Sequence, residues 1–129
     1  MVHALRNIHA ALVPGGVVID TQPVSARPPV ESVGGPLGTL DMTEWAQLIH
    51  EIDARTFETI DADLFAIDAE SWLTVTDDYE DGEDFLGYVR NWKGTRIEPE
   101  LERRTRDERG RVRVHQQIRV RLLRARAGP

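Results

Sequence analysis

"LRNIHAALVPGGVVIDTQPV", Leu5 to Val24, carries three signals in succession. Leu5, Ile8 and Leu12 recur at helical spacing, with Ala4, Ala10 and Ala11 between them, which predicts a short amphipathic helix over residues 2–12. Pro14 cannot continue a helical ladder, and Gly15 and Gly16 permit the positive φ needed to reverse the chain. Val17, Val18 and Ile19 form an unbroken β-branched run, the pattern of a strand covered on both faces as in a parallel sheet. Helix, tight turn and buried strand in this order predict an α/β fold.

Working outward, residues 23–40 are rich in proline and glycine and read as a loop, with room for a short extended piece around Val30 to Val33. "GGPLG", Gly34 to Gly38, reads as a turn. Asp41 and Glu44 have the form of a helix start, and Trp45, Leu48, Ile49 and Ile52 continue at i, i+3, i+4, i+7, with Phe57 and Ile60 extending the stripe. From Leu64 to Thr76 apolar and polar residues alternate, predicting a strand bent around Glu70 and Ser71. Asp81 or Gly82 opens another helix with Phe85, Leu86, Val89 and Trp92 on one face, ended by Lys93 and Gly94. Glu98 to Arg109 reads as a surface helix with Pro99 in its first turn. In "RVRVHQQIRVRLLRA" the even residues Val112, Val114, Ile118, Val120 and Leu122 are apolar, while Arg111, Arg113, His115, Arg119 and Arg121 are basic. This predicts a strand with one packed face and one charged face.

Charge is distributed unevenly along the chain. The net charge is −6, yet residues 31–84 hold sixteen acids against Arg55 alone, and residues 85–129 hold thirteen bases against five acids. Overall acidity and the lack of interleaved aromatics disfavour nucleic acid, and matching within the chain is the expected use of the arginines. Asp68, Glu70, Asp77 and Asp78 are the expected partners if the two long strands pair antiparallel.

Length and composition fit a single globular domain. No apolar run has the length of a membrane span, and no basic segment leads into a long apolar one near the N-terminus. Cysteine is absent, which removes disulfides, thiolate nucleophiles and zinc-thiolate sites and makes a cytoplasmic location the expectation. His3, His9, His50 and His115 show no metal-ligand spacing, so no metal is expected. "DDYEDGED", Asp77 to Asp84, fails as a calcium loop because Tyr79 and Tyr88 fall where acids are needed. Ser25, Ser32 and Ser71 have no nucleophile-elbow setting.

The order of elements resembles the C-terminal half of class I S-adenosylmethionine-dependent methyltransferases. In that family a helix ending in L-x-P-G-G leads into the fifth strand, and "ALVPGGVVID", Ala11 to Asp20, matches it. The remainder resembles the helix after that strand, the sixth strand, an inserted helix and a long antiparallel last strand. The resemblance implies a partial Rossmann-like sheet of about three mixed strands, divided as helix-turn-strand over 1–22, loop over 23–40 and helix-strand-helices-strand over 41–129. The family binds its cofactor through a glycine-rich loop after the first strand and an acid ending the second, and neither is present here.

The expected function is therefore that of a truncated or split methyltransferase fragment, with S-adenosylmethionine bound only where a partner supplies the other half. The alternative is a non-catalytic, oligomeric or ligand-binding protein built on the half-fold. Ligands of open α/β sheets gather beyond the carboxyl ends of parallel strands, which points to Asp20, Thr21, Gln22 and Pro23. Asp20 and Gln22 are the candidates for orienting an acceptor hydroxyl or amine. Trp45, Trp72 and Trp92 line a pocket or join the core. An uncovered edge on the strand Val17 to Thr21 would be met by a second copy of the chain or by a cofactor-binding polypeptide.

Overall fold

The computed structural model describes residues 2–127, and the side chain of His3 lies outside the described part. The elements are α1 (Val2–Ala11), β1 (Val17–Pro23), β2 (Pro29–Ser32), β3 (Gly35–Thr39), α2 (Thr43–Asp61), β4 (Phe65–Tyr79), α3 (Gly82–Val89), α4 (Pro99–Arg106) and β5 (Val112–Ala125). Together they make an α/β chain with a five-stranded, mostly antiparallel sheet. Asp41 and Asp81 start α2 and α3, as their spacing predicts, and Pro99 is the first residue of α4.

β5 is the hub of the sheet, hydrogen-bonded to β1, β2 and β4, while β3 joins on β2. β2 runs antiparallel to β5 with Val30 opposite Val114, and antiparallel to β3. The bonds Gly15 N to Ala125 O and Val24 N to Gln117 O, both 2.9 Å, make β1 antiparallel to β5 as well. Arg126 N to Leu64 O at 2.9 Å and the Arg113–Asp78 pair give β4 the same sense.

Two expectations need correction. The sheet has five strands rather than about three, because the Pro- and Gly-rich stretch 23–40 contains the hairpin β2–β3. Its prolines are compatible with strand, since Pro29 opens β2, and Gly34 sits in the hairpin turn with its N–H donating to Ser32 Oγ at 3.2 Å. β1 is not covered on both faces: its neighbour is antiparallel, and Val17 and Ile19 are 44% and 66% exposed, while Val18 packs inward. The strand expected from Leu64 to Thr76 is β4, one strand through Glu70 and Ser71.

The chain divides into two compact units. The first comprises Met1–Gln22, Leu48–Leu73 and Arg119–Pro129. Its core is Leu5, Phe65, Leu123 and Ala125, joined by Leu12, Val18, Ile60, Leu64 and Ile67. The second comprises Pro23–Gln47 and Thr74–Ile118, with Val30, Leu40, Met42, Phe85, Leu86, Val89, Leu101, Val112 and Val114 as its core.

β5 alternates regularly, but its buried phase differs between the two sets of residues. In the second unit the buried positions are the even ones, Val112, Val114 and Gln116; in the first they are the odd ones, Arg119, Arg121, Leu123 and Ala125. The single packed face expected from Val112 to Leu122 is therefore right only for Val112 and Val114, whereas Ile118, Val120 and Leu122 are half-buried. In the second unit the apolar residues of α3 and α4 pack on Val112 and Val114, while in the first Leu5 packs against Leu123 and Asp53 reaches Arg119. Each residue of β5 is buried by what its own unit sets against it.

A close approach in the second unit gives a direct test of this packing. A Cβ added to Gly82 would lie 1.5 Å from the backbone oxygen of Thr105, so the first turn of α3 and the end of α4 accept only glycine there. Gly82→Ala is expected to lower stability by about 3 kcal/mol, measured as a fall in the urea midpoint. Gly87→Ala, whose Cβ would meet nothing within 4 Å, is expected to leave the midpoint unchanged or raise it slightly.

Candidate functional site

In the second unit, α2 begins after Asp41, whose Oδ1 accepts from Thr43 N at 3.1 Å and Thr43 Oγ1 at 2.6 Å. Met42 N donates to Ala26 O at 2.8 Å, and Asp41 and Arg96 form an antiparallel bridge. The turn after α3 is pressed against this point. Gly94 has φ +68°, and a Cβ there would lie 2.9 Å from Trp45 N, so only glycine lets the turn sit so close. Trp45 N donates to Gly94 O, and Trp45 Nε1 donates to Pro23 O at 2.9 Å.

These contacts open a cleft of about 270 Å³ lined by Pro23, Met42, Trp45, Trp92, Lys93 and Gln116. Trp45 and Trp92 are half-buried and Lys93 is exposed. Of the three tryptophans considered from sequence, two meet here, whereas Trp72 is 52% exposed on β4. Gln116 escaped the sequence reading. The available signal was its even position between Val114 and Ile118, where the alternation calls for an apolar residue.

The first unit contains a charged cluster instead. Asp53 of α2 takes two bonds from Arg119, at 2.8 and 2.7 Å, and a third from Arg121 Nη1 at 3.0 Å. Arg121 Nε donates to Glu70 Oε2 at 2.5 Å, and its guanidinium lies 5.5 Å from the centre of the Phe57 ring. Both arginines are only 6% exposed, and they are paired with acids as expected, Arg121 with Glu70 among the predicted partners and both with Asp53, which was not among them. Arg119 Nε is buried without a partner among the described residues, and Asp20 adds a favourable charge nearby. Burial pushes the Asp53 carboxyl up, but the hydrogen bonds and charges of Arg119 and Arg121 outweigh it and hold the group below the ordinary carboxylate range.

The remaining arginines of β5, and Arg111 just before it, also follow the expected matching. Arg113 and Arg111 meet Asp78, and Arg124 pairs with Asp68. His115 bridges Glu31 Oε1 at 2.8 Å and Thr76 Oγ1 at 2.9 Å. Among the described residues no three His, Asp or Glu side chains converge as a metal site would require.

Asp20 and Gln22 are both half-buried on β1 and meet each other, with Gln22 Nε2 donating to Asp20 Oδ1 at 3.0 Å. They belong to the first unit, and Pro23, the last residue of β1, lines the cleft of the second. Among the described residues no strand leads through a glycine-rich G-x-G loop into a helix. α2 and α3 follow strands, but Asp41 occupies the start of one, and Asp81 Oδ1 the start of the other, accepting from Asp84 N at 2.8 Å. Comparison with models of known protein families, with curated proteins and with solved structures gives no match for this chain.

The cluster around Asp53 makes a pH-dependent prediction. A carboxyl whose folded-state pKa is lowered stabilises the fold fully above the ordinary carboxylate range, and this contribution is lost as pH falls through the folded-state value. Asp53→Ala leaves two buried guanidiniums short of a partner, and its expected cost at neutral pH is about 3–5 kcal/mol. Urea titrations of the two proteins at pH 7 and pH 3 are expected to show a smaller difference at the acid value. An equal difference at both values would mean that the ion pair contributes nothing through its charge.

Proposed function

We propose that this chain is the acceptor-side part of a methyltransferase-like domain. The observation that carries the reading is the position of β5 between β1 and β4, antiparallel to both. A helix ending in L-x-P-G-G, a strand, later a second strand, and a long antiparallel last strand is the arrangement that the sequence resemblance implies. The cleft supports it too, because Pro23 at the carboxyl end of β1 is one of its walls. In this reading a Rossmann-like sheet is only partly represented by these residues, and the cleft takes the acceptor. Asp20 and Gln22 belong to the first unit and are not among the residues that line the cleft.

S-adenosylmethionine supplies an electrophilic methyl group where it is bound. The described residues do not fit its seat, since they hold no glycine-rich strand-to-helix loop, and no step through it is assigned to them. The cofactor is held in this reading by residues outside these 129, on another stretch of chain or another polypeptide. Calorimetric titration of this chain with S-adenosylmethionine is expected to give only heats of dilution. Saturable, stoichiometric binding would overturn the division of labour proposed here.

A second reading, an oligomeric ligand-binding protein, is favoured by a different observation. In the first unit Val17 and Ile19 of β1 and Leu73 of β4 remain 44%, 66% and 47% exposed, beside half-buried Val120 and Leu122 of β5. Exposed apolar side chains of this kind on a sheet suit burial against a second copy. Light scattering is expected to give a dimer mass that falls to the monomer mass in Ile19→Lys. A wild-type monomer at all concentrations would remove this reading without touching the first.

A further inference from the structure

Gln116 is 9% exposed and lines the cleft beside Trp45 and Trp92. A glutamine side chain has two N–H donors and an oxygen acceptor. Among the described residues its one side-chain hydrogen bond is Nε2 to Met42 Sδ at 3.6 Å, and a thioether is a weak acceptor. The rest of its donor and acceptor capacity is open to a molecule that enters the cleft. The chain therefore carries in the cleft a hydrogen-bonding group that its own structure leaves largely unanswered.

The other walls decide what meets it. Two indoles, a thioether and a proline ring offer flat, polarisable surface, which suits a planar ring. Indoles also attract cations, but Lys93 contributes the only formal charge on the lining and has no ion-pair partner among the described residues. It disfavours a cationic ligand and favours an anionic one. A volume of about 270 Å³ holds one or two fused rings rather than a chain of them.

We infer that the cleft binds a small planar aromatic acid, its ring against Trp45 and Trp92, its carboxylate at Lys93 and a ring hydroxyl, nitrogen or amide at Gln116. As the acceptor class this inference rests on the methyltransferase-like reading. As a binding event it is measured without cofactor, so failure of one experiment is distinct from failure of the other.

The test uses the whole chain and the three tryptophan indole N–H signals in ¹H–¹⁵N spectra, with 4-hydroxybenzoate as probe. Trp72 lies outside the cleft and serves as an internal reference. The expected result is a saturable shift of the Trp45 and Trp92 signals with the Trp72 signal unmoved. 4-Hydroxybenzamide, which lacks the charge, is expected to bind about tenfold more weakly, and Lys93→Ala is expected to erase that difference. Gln116→Leu is expected to make benzoate bind as well as 4-hydroxybenzoate while keeping the spectrum of the folded chain. Cyclohexanecarboxylate moving the same signals with equal affinity would overturn the aromatic assignment. Equal binding of acid and amide by the wild type would overturn the anionic one. Equal movement of Trp72, or no saturable shift from any of the aromatic probes, would overturn the site itself.

Discussion

Asp53 accepts from two guanidiniums that the chain has removed from water, and the first unit depends on that contact. Arg119 and Arg121 are both odd residues of β5, and both are buried. A buried arginine without a carboxylate is among the costliest arrangements a small core can contain. Asp53 on α2 and Glu70 on β4 meet the charge of the pair, and Phe57 lies against the guanidinium of Arg121. Each contact also specifies register. A shift of β5 by one residue would exchange Arg119 and Arg121 for Val120 and Leu122 and leave Asp53 and Glu70 facing apolar side chains. An ion pair of this kind contributes less to net stability than to choosing one strand alignment over its neighbours.

The second unit solves a different problem with backbone rather than charge. Gly82 and Gly94 stand where a Cβ would strike the backbone of Thr105 and of Trp45. At Gly82 this allows α3 to meet the end of α4. At Gly94 it brings the turn carrying Trp92 and Lys93 onto the start of α2, and the cleft results from that approach. Its floor includes a glutamine at a position whose neighbours Val112 and Val114 are wholly apolar and fully buried.

Much of the local structure was legible from the sequence. The helix of residues 2–12, the glycine turn, the capping aspartates 41 and 81, the face of Phe85, Leu86 and Val89, and the two long strands follow from short-range periodicity and backbone chemistry. The antiparallel pairing of acids on β4 with arginines on β5 was also readable for Asp68, Glu70 and Asp78, since alternating charge on two strands has few other solutions. The hairpin β2–β3 was hidden because proline and glycine signal turns whether or not a short strand lies between them. In the candidate site, the tryptophans were visible as residues but not as a pair, because Trp45 and Trp92 are brought together by Gly94 and not by spacing along the chain.

The sequence by itself determined which segments are helix and strand and which residues start and stop them, because those outcomes depend on neighbours a few residues away. Tertiary structure alone decided which side of each strand is buried. Alternation in β5 fixes that odd and even residues point in opposite directions, but not which direction meets a core. Val112 and Val114 face the apolar residues of α3 and α4, whereas Arg119 and Arg121 face Asp53 and Glu70. The same limit applies to "VVID": its β-branched residues ensured a strand, while the antiparallel partner and the exposed Val17 and Ile19 depended on what packed beside it.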